Sequence, residues 1–131
     1  MVLELVKGDS LQKYLNSCEK HCLNELEAMQ IFKQILSAIA YCHSKGISHR
    51  DLKLENILIT DKKTIKIIDF GFSVWSKKEK KLKVFCGTPT YLAPEIISKS
   101  DYEGPPTDIW AMGIILYTLL CGVFPFNSKI H

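Results

Sequence analysis

Residues 47–56, I-S-H-R-D-L-K-L-E-N, constrain this chain more than any other stretch. They bring together two bases, two acids, a histidine and an amide. Gly46 stands directly before them and the apolar run 57–59 directly after. Upstream, Phe32, Ile35, Leu36, Ile39 and His43 recur at helical spacing. Asn24 followed by Glu27 has the form of a capping box. The spacing therefore predicts a helix over 25–45, closed by Gly46 as a left-handed cap residue. A dense polar loop between two buried elements is a rigid place to hold chemistry. A solvated connection would be polar as well. Two motifs further along the chain decide between these readings: an acid at Asp69 in D-F-G, then Ala93-Pro94-Glu95.

The rest of the chain can be divided by pattern. Residues 1–6 are apolar except for Glu4 and read as a strand, with 7–10 as a turn. Ser10 is placed to cap a short helix running to about residue 16. Residues 57–59 and 64–68 are β-prone and joined by 60–63, which predicts a hairpin. Residues 69–92 show little periodicity, and a long irregular segment in a compact domain is usually functional or disordered. A short helix is expected over 94–99, broken by Gly104-Pro105-Pro106. Thr107 then caps a helix over 108–121, and Gly122 ends it. That helix is apolar on nearly all sides and is expected to be buried all round.

The length of 131 residues suffices for one domain with a core. Apolar residues make up 47% and charged residues 24%, an ordinary globular balance. The net charge of +3 does not point to nucleic acid. The basic excess is local, at Lys77, Lys78, Lys80, Lys81 and Lys83, and reads as a solvated loop. Five cysteines, Cys18, Cys22, Cys42, Cys86 and Cys121, form no C-x-x-C pair. Cys18, His21 and Cys22 lack a second pair at zinc spacing. Reduced thiols in a cytoplasmic or nuclear protein fit this count. The N-terminus carries Glu4, Lys7 and Asp9 and does not look like a secretory signal. Residues 109–126 carry no charge, yet they contain Gly113, Gly122 and Pro125 and read as a core helix, not a membrane span.

H-R-D-L-K-L-E-N at 49–56, D-F-G at 69–71 and A-P-E at 93–95 together resemble the signature set of the protein kinases. The ordered set of three is specific, and the resemblance covers essentially the whole chain. It implies an α+β, mainly α fold. This would be a kinase-like C-terminal lobe with helices D, E and F and a small β-hairpin, running over 1–131 from the hinge to the end of helix F. It also implies ATP and Mg²⁺ as cofactors and a protein substrate with a Ser or Thr acceptor. Asp51 would orient the acceptor hydroxyl and take its proton, and Lys53 would neutralise the moving phosphate. Asn56 and Asp69 would hold Mg²⁺, a hard cation that prefers oxygen. Lys53 together with Thr88 in G-T-P resembles the serine/threonine class, with Thr88 shaping the acceptor site; a turn residue before Pro89 is the alternative, and the presence of Lys53 favours the acceptor-site reading.

The same resemblance assigns supporting roles. His49 and Phe70 match two members of a stacked hydrophobic column. Leu11 and Leu58 match positions that sandwich adenine. Glu4 to Val6 matches the hinge, whose backbone bonds adenine, and Met1 falls at the gatekeeper. Asp108 resembles the acid that holds the catalytic loop from beneath; a favourable charge at a helix N-terminus is compatible with that role. Glu55 is placed to read a basic residue of a peptide, with Ser10 and Asp9 near the position of a second acid. The motif spread is closest to the calcium/calmodulin-dependent and AMP-activated-like branch.

The chain also departs from the pattern. It contains no G-x-G-x-x-G loop, no V-A-I-K strand and no arginine to pair with Glu95. The expectation is a C-terminal lobe without its N-terminal lobe, unstable and nearly inactive alone. The alternative is a truncated relic that binds a partner or peptide. Related kinases often carry a phosphorylated threonine where this chain has Val84. Either Ser73, Ser76 or Thr90 substitutes, or the loop is ordered without phosphate; the second is the expectation here. Any regulatory partner is left unnamed by the sequence.

Overall fold

The computed structural model describes residues 4–75 and 81–126. Its first element is β1, Gly8–Ser10, followed at once by the helix α1, Leu11–Ser17. Ser10 caps α1, its hydroxyl accepting from the Lys13 amide at 3.1 Å. Of the strand expected over 1–6, residues 1–3 lie outside the described residues and 4–6 have no regular structure. The expected turn at 7–10 is instead β1, because its backbone pairs with a later strand that sequence spacing does not reveal.

Helix α2 runs Glu25–Ser44, and the Asn24 side chain accepts from the Glu27 amide at 2.9 Å. Only this half of the capping box forms. The Glu27 carboxylate instead accepts from the Tyr14 hydroxyl at 2.5 Å and from Lys63 Nζ at 3.1 Å. Gly46 closes the helix at φ 74, as predicted. Ile31, Ile35 and Ile39 form one buried stripe. Burying each contributes about 1.5–3 kcal/mol. That outweighs a helix-propensity deficit of at most ~0.7 kcal/mol for an ordinary residue.

The short strand β2, Ile47–Ser48, precedes the polar loop. A single 3-10 turn at Leu54–Asn56 then leads into β3, Ile57–Thr60, which pairs antiparallel with β4, Ile65–Ile67. This is the predicted hairpin, and β1 adds to its free edge to give the order β1-β3-β4. A second small sheet pairs β2 with β5, Val74–Trp75.

Helix α3 spans Pro94–Ile97 and α4 spans Gly104–Cys121. Helix α4 begins before the position that Thr107 was expected to cap. Pro105 and Pro106 sit in its first turn, where no intrahelical acceptor exists for the missing N–H. Thr107 instead donates its hydroxyl back to the Gly104 carbonyl at 2.7 Å. Gly104 is there for space: a Cβ would lie 2.3 Å from Ser48 Oγ. The main core lies between α2 and α4 and below α1, with Leu11, Leu15, Leu52, Leu54, Ile57, Ile115 and Leu119 almost wholly buried. The expectation that α4 is buried all round is corrected. Ile109, Tyr117 and Leu120 are exposed on one face, so the helix is apolar beyond what its neighbours cover. No helix among the described residues is long and apolar enough to cross a membrane.

Candidate active site

Asp108, at the fifth position of α4, organises the polar loop. It is buried, and its carboxylate accepts the backbone amides of His49 at 2.9 Å and Arg50 at 2.8 Å. His43, in the last turn of α2, meets the same carboxylate through Nε2 at 2.8 Å. Two helices and the loop thus converge on one acid. The bonds hold Arg50 at φ 68, a left-handed conformation that costs a non-glycine residue about 1–3 kcal/mol. The chain therefore turns sharply here, and Asp51 comes next.

Asp51 is buried and lies at the centre of a closed polar group. Its Oδ1 accepts from the Thr88 hydroxyl at 2.8 Å. Its Oδ2 lies 3.1 Å from Lys53 Nζ, and Lys53 also donates to Thr88 Oγ1 at 2.9 Å. Thr88 stands 37 positions from Asp51 in the sequence. It reaches the site because Gly87 packs against the loop at φ 114, where a Cβ would lie 3.0 Å from the Arg50 carbonyl. Asn56 completes the group, its Nδ2 donating to the Asp51 carbonyl at 2.9 Å and to Oδ2 at 3.3 Å.

The hairpin register brings Asp69 beside this group. Ile57 pairs with Ile67, and the Ile68 amide donates to the Asn56 carbonyl at 2.9 Å, so Asp69 is the next residue past that bond. Asp69 is exposed and held at φ 60. Its Oδ1 accepts from the Gly71 amide at 3.2 Å. Asn56 uses its nitrogen on Asp51, which leaves the amide oxygen and the Asp69 carboxylate as hard oxygen donors. That donor chemistry fits Mg²⁺.

A family profile described as a protein kinase domain matches residues 1–131. The chain belongs to the protein kinase domain family. It is 46% identical over 132 residues to CBL-interacting serine/threonine-protein kinase 13 of Arabidopsis thaliana, covering 98% of the chain and 26% of that protein. It is 46% identical over 131 residues to NUAK family SNF1-like kinase 1 of Homo sapiens, covering 100% of the chain and 20% of that protein. Sperm motility kinase 3A of Mus musculus is 43% identical over 128 residues, covering 98% of the chain and 25% of that protein. The chain thus spans about a quarter or less of the relatives it matches. These names agree with the AMP-activated-like branch to which its motifs point.

The structure also places the supporting residues of the kinase pattern. The rings of His49 and Phe70 meet edge to face at 4.7 Å, and His49 Nε2 contacts the Ile68 carbonyl at 3.0 Å. Leu58 is half-buried on the face of β3 opposite Ile57 and Ile59. Leu11 is fully buried in the core. The expectation that it sandwiches adenine is therefore corrected: as the first residue of α1 it packs below the hairpin. Glu4 is exposed and pairs with Lys66 at 3.2 Å, and Val6 is half-buried close by in sequence. Ser10 and Asp9 are engaged by the α1 cap and by Lys13. Met1, Ser76, Lys77, Lys78 and Lys80 lie outside the described residues. Of the described lysines in that cluster, Lys83 approaches Asp101 at 3.9 Å.

Sequence pattern misses three contributors. His43 reads in the sequence only as a helix position, not as a partner of Asp108. Tyr91 accepts the Leu54 amide through its hydroxyl at 3.3 Å, and burial holds its phenol well above the ordinary value. Tyr102 binds Arg50 across 52 positions of sequence. No local signal marks any of these contacts.

Proposed function

We propose that this chain is part of a serine/threonine protein kinase catalytic domain, spanning the hinge to the end of helix F. The observation that carries this reading is the closed Asp51–Lys53–Thr88 group. It joins a carboxylate, an ammonium and a hydroxyl within hydrogen-bond reach, at a loop anchored from two helices. A protein serine or threonine hydroxyl placed against Asp51 gives its proton to the carboxylate as its oxygen forms the bond to the γ-phosphorus of ATP. The bond from that phosphorus to the β-phosphate oxygen breaks as ADP leaves. Lys53 neutralises charge on the transferring group, and Thr88 holds Lys53 and Asp51 in one geometry. Asn56 and Asp69 are the residues that would hold Mg²⁺; when bound, the ion neutralises the phosphates. Leu58 and the backbone of Glu4 and Val6 would face the adenine.

The partners we infer are ATP and a protein substrate, with no nucleic acid among them and no membrane span. The five thiols stand free, in keeping with a cytoplasmic or nuclear setting. The chain has no glycine-rich phosphate loop or V-A-I-K lysine in its sequence. Positioning and charge stabilisation are worth several powers of ten in rate. The 131 residues alone are therefore expected to transfer little or no phosphate. A radiolabelled-ATP assay on the purified chain checks this. Turnover abolished by Asp69→Asn would contradict it.

A further inference from the structure

The sole arginine of the sequence is Arg50. Among the described residues its side chain donates two hydrogen bonds, both to neutral oxygens. Its Nε donates to the Phe72 carbonyl at 2.7 Å, and its terminal nitrogen donates to the Tyr102 hydroxyl at 3.3 Å. That hydroxyl donates onward to the Val84 carbonyl at 2.6 Å. Cys86 Sγ lies 3.8 Å from the same oxygen. Tyr102 is itself fixed. It is 4% exposed, packs with Leu82, Leu92, Ala93 and Ile96, and exchanges two backbone hydrogen bonds with Leu82, at 2.7 and 3.1 Å. One buried phenol therefore links the residue just after D-F-G, through Arg50, to the residues just before G-T-P.

We infer that Tyr102 is a positioning residue: its hydroxyl ties Arg50 to the Val84 carbonyl and so sets where the 84–88 stretch lies over Asp51. The role in catalysis rests on the kinase reading above, whereas the tie itself does not. The physical logic is a relay. A guanidinium donating to a phenol polarises the hydroxyl and strengthens its bond to the next acceptor. Burial raises the phenol's pKa, which keeps the proton in place for Val84. Val84 cannot be phosphorylated, and its carbonyl, not its side chain, makes the contact. Gly87 then lies against the Arg50 carbonyl, and Thr88 reaches Asp51 and Lys53. The tie orders the segment with no phosphate present.

The test is backbone NMR relaxation of the 131-residue chain with its Tyr102→Phe variant, which removes one oxygen and keeps the ring. In the native chain, order parameters at 84–88 should match those of α2, near ~0.85. In Tyr102→Phe they should fall below ~0.6 at 84–88 while α2 is unchanged. The Val84 carbonyl carbon resonance should also shift as the carbonyl loses its hydrogen bond. Arg50→Lys, which keeps the charge and loses the fork, should give a smaller change in the same direction. Phosphatase treatment should leave the native chain's values unaltered. Four results would overturn the inference. These are a variant as ordered at 84–88 as the native chain, order lost evenly along the chain, a native chain already disordered at 84–88, or a native segment loosened by phosphatase. None of these readouts depends on phosphate transfer, so the tie and the kinase reading fail separately.

Discussion

At the scale of single residues, Asp108 carries the largest structural burden. Replacing it by Ala leaves the His49 and Arg50 amides unpaired in a buried setting. Each orphaned donor costs about 1–3 kcal/mol, so a loss of roughly 2–6 kcal/mol is expected in urea unfolding of the chain. Thr88→Val is milder. It removes one hydroxyl from between Asp51 and Lys53, both charged, and should cost about 1.5–3 kcal/mol by the same measurement. The motif residues are legible in sequence because each is a chemically distinct group at a fixed offset from its neighbours: Asp51, Lys53 and Asn56 lie in one loop. Asp69 joins them by hairpin register. The partners that hold them, His43, Tyr91 and Tyr102, are not legible. Each acts through a contact between residues distant in the chain.

At the scale of elements, α1, α2 and the β3–β4 turn are tied together by Tyr14, Glu27 and Lys63. The Tyr14 hydroxyl and Lys63 both meet the Glu27 carboxylate, Lys63 also meets the Tyr14 hydroxyl, and its ammonium lies 3.9 Å over the Tyr14 ring. The bond from Tyr14 and the charge of Lys63 hold Glu27 below its ordinary pKa despite burial. A depressed carboxylate contributes stability above its unfolded pKa of about 4.3 and loses it as pH falls through the folded value. Lys63 is raised by its bonds to Tyr14 and Glu27, against the effect of burial, so its share is lost only on the alkaline side. Tyr14 is raised too, by burial first and then by Glu27, with the same sign. Acid unfolding of Glu27→Gln should accordingly show a smaller loss of stability below about pH 4.3 than the native chain; equal losses would contradict this. The elements themselves are mostly readable, because caps and apolar stripes are local. Two departures from expectation share one cause. The pairing of β1 and the uncovered face of α4 depend on what lies across from each element, which periodicity does not encode. The early start of α4 is local instead: prolines read as breakers are tolerated in a first turn.

At the scale of the molecule, the core between α2 and α4 coexists with an open apolar face. Ile109, Tyr117, Leu120, Val123 and Phe126 are exposed among the described residues. Ile109, Trp110, Gly113, Ile114, Tyr117, Pro125 and Phe126 line a depression of about 420 Å³. Exposed contiguous apolar surface favours association. Sedimentation velocity of the chain should show concentration-dependent self-association, reduced by Ile109→Lys with Tyr117→Lys. A monomer at every concentration would contradict this. On the proposed function, the polar loop and Asp69 supply the proton-accepting and metal-holding half of a phosphoryl-transfer site. The most direct measurement joins residues 4–126 to the flanking parts of one of the full-length kinase relatives and assays phosphate transfer to a serine peptide. Turnover near that of the relative is expected, lost by more than about a thousandfold in Asp51→Asn and in Asp69→Asn. A chimera that folds and binds ATP yet keeps its activity in both variants would contradict the proposed role of the loop.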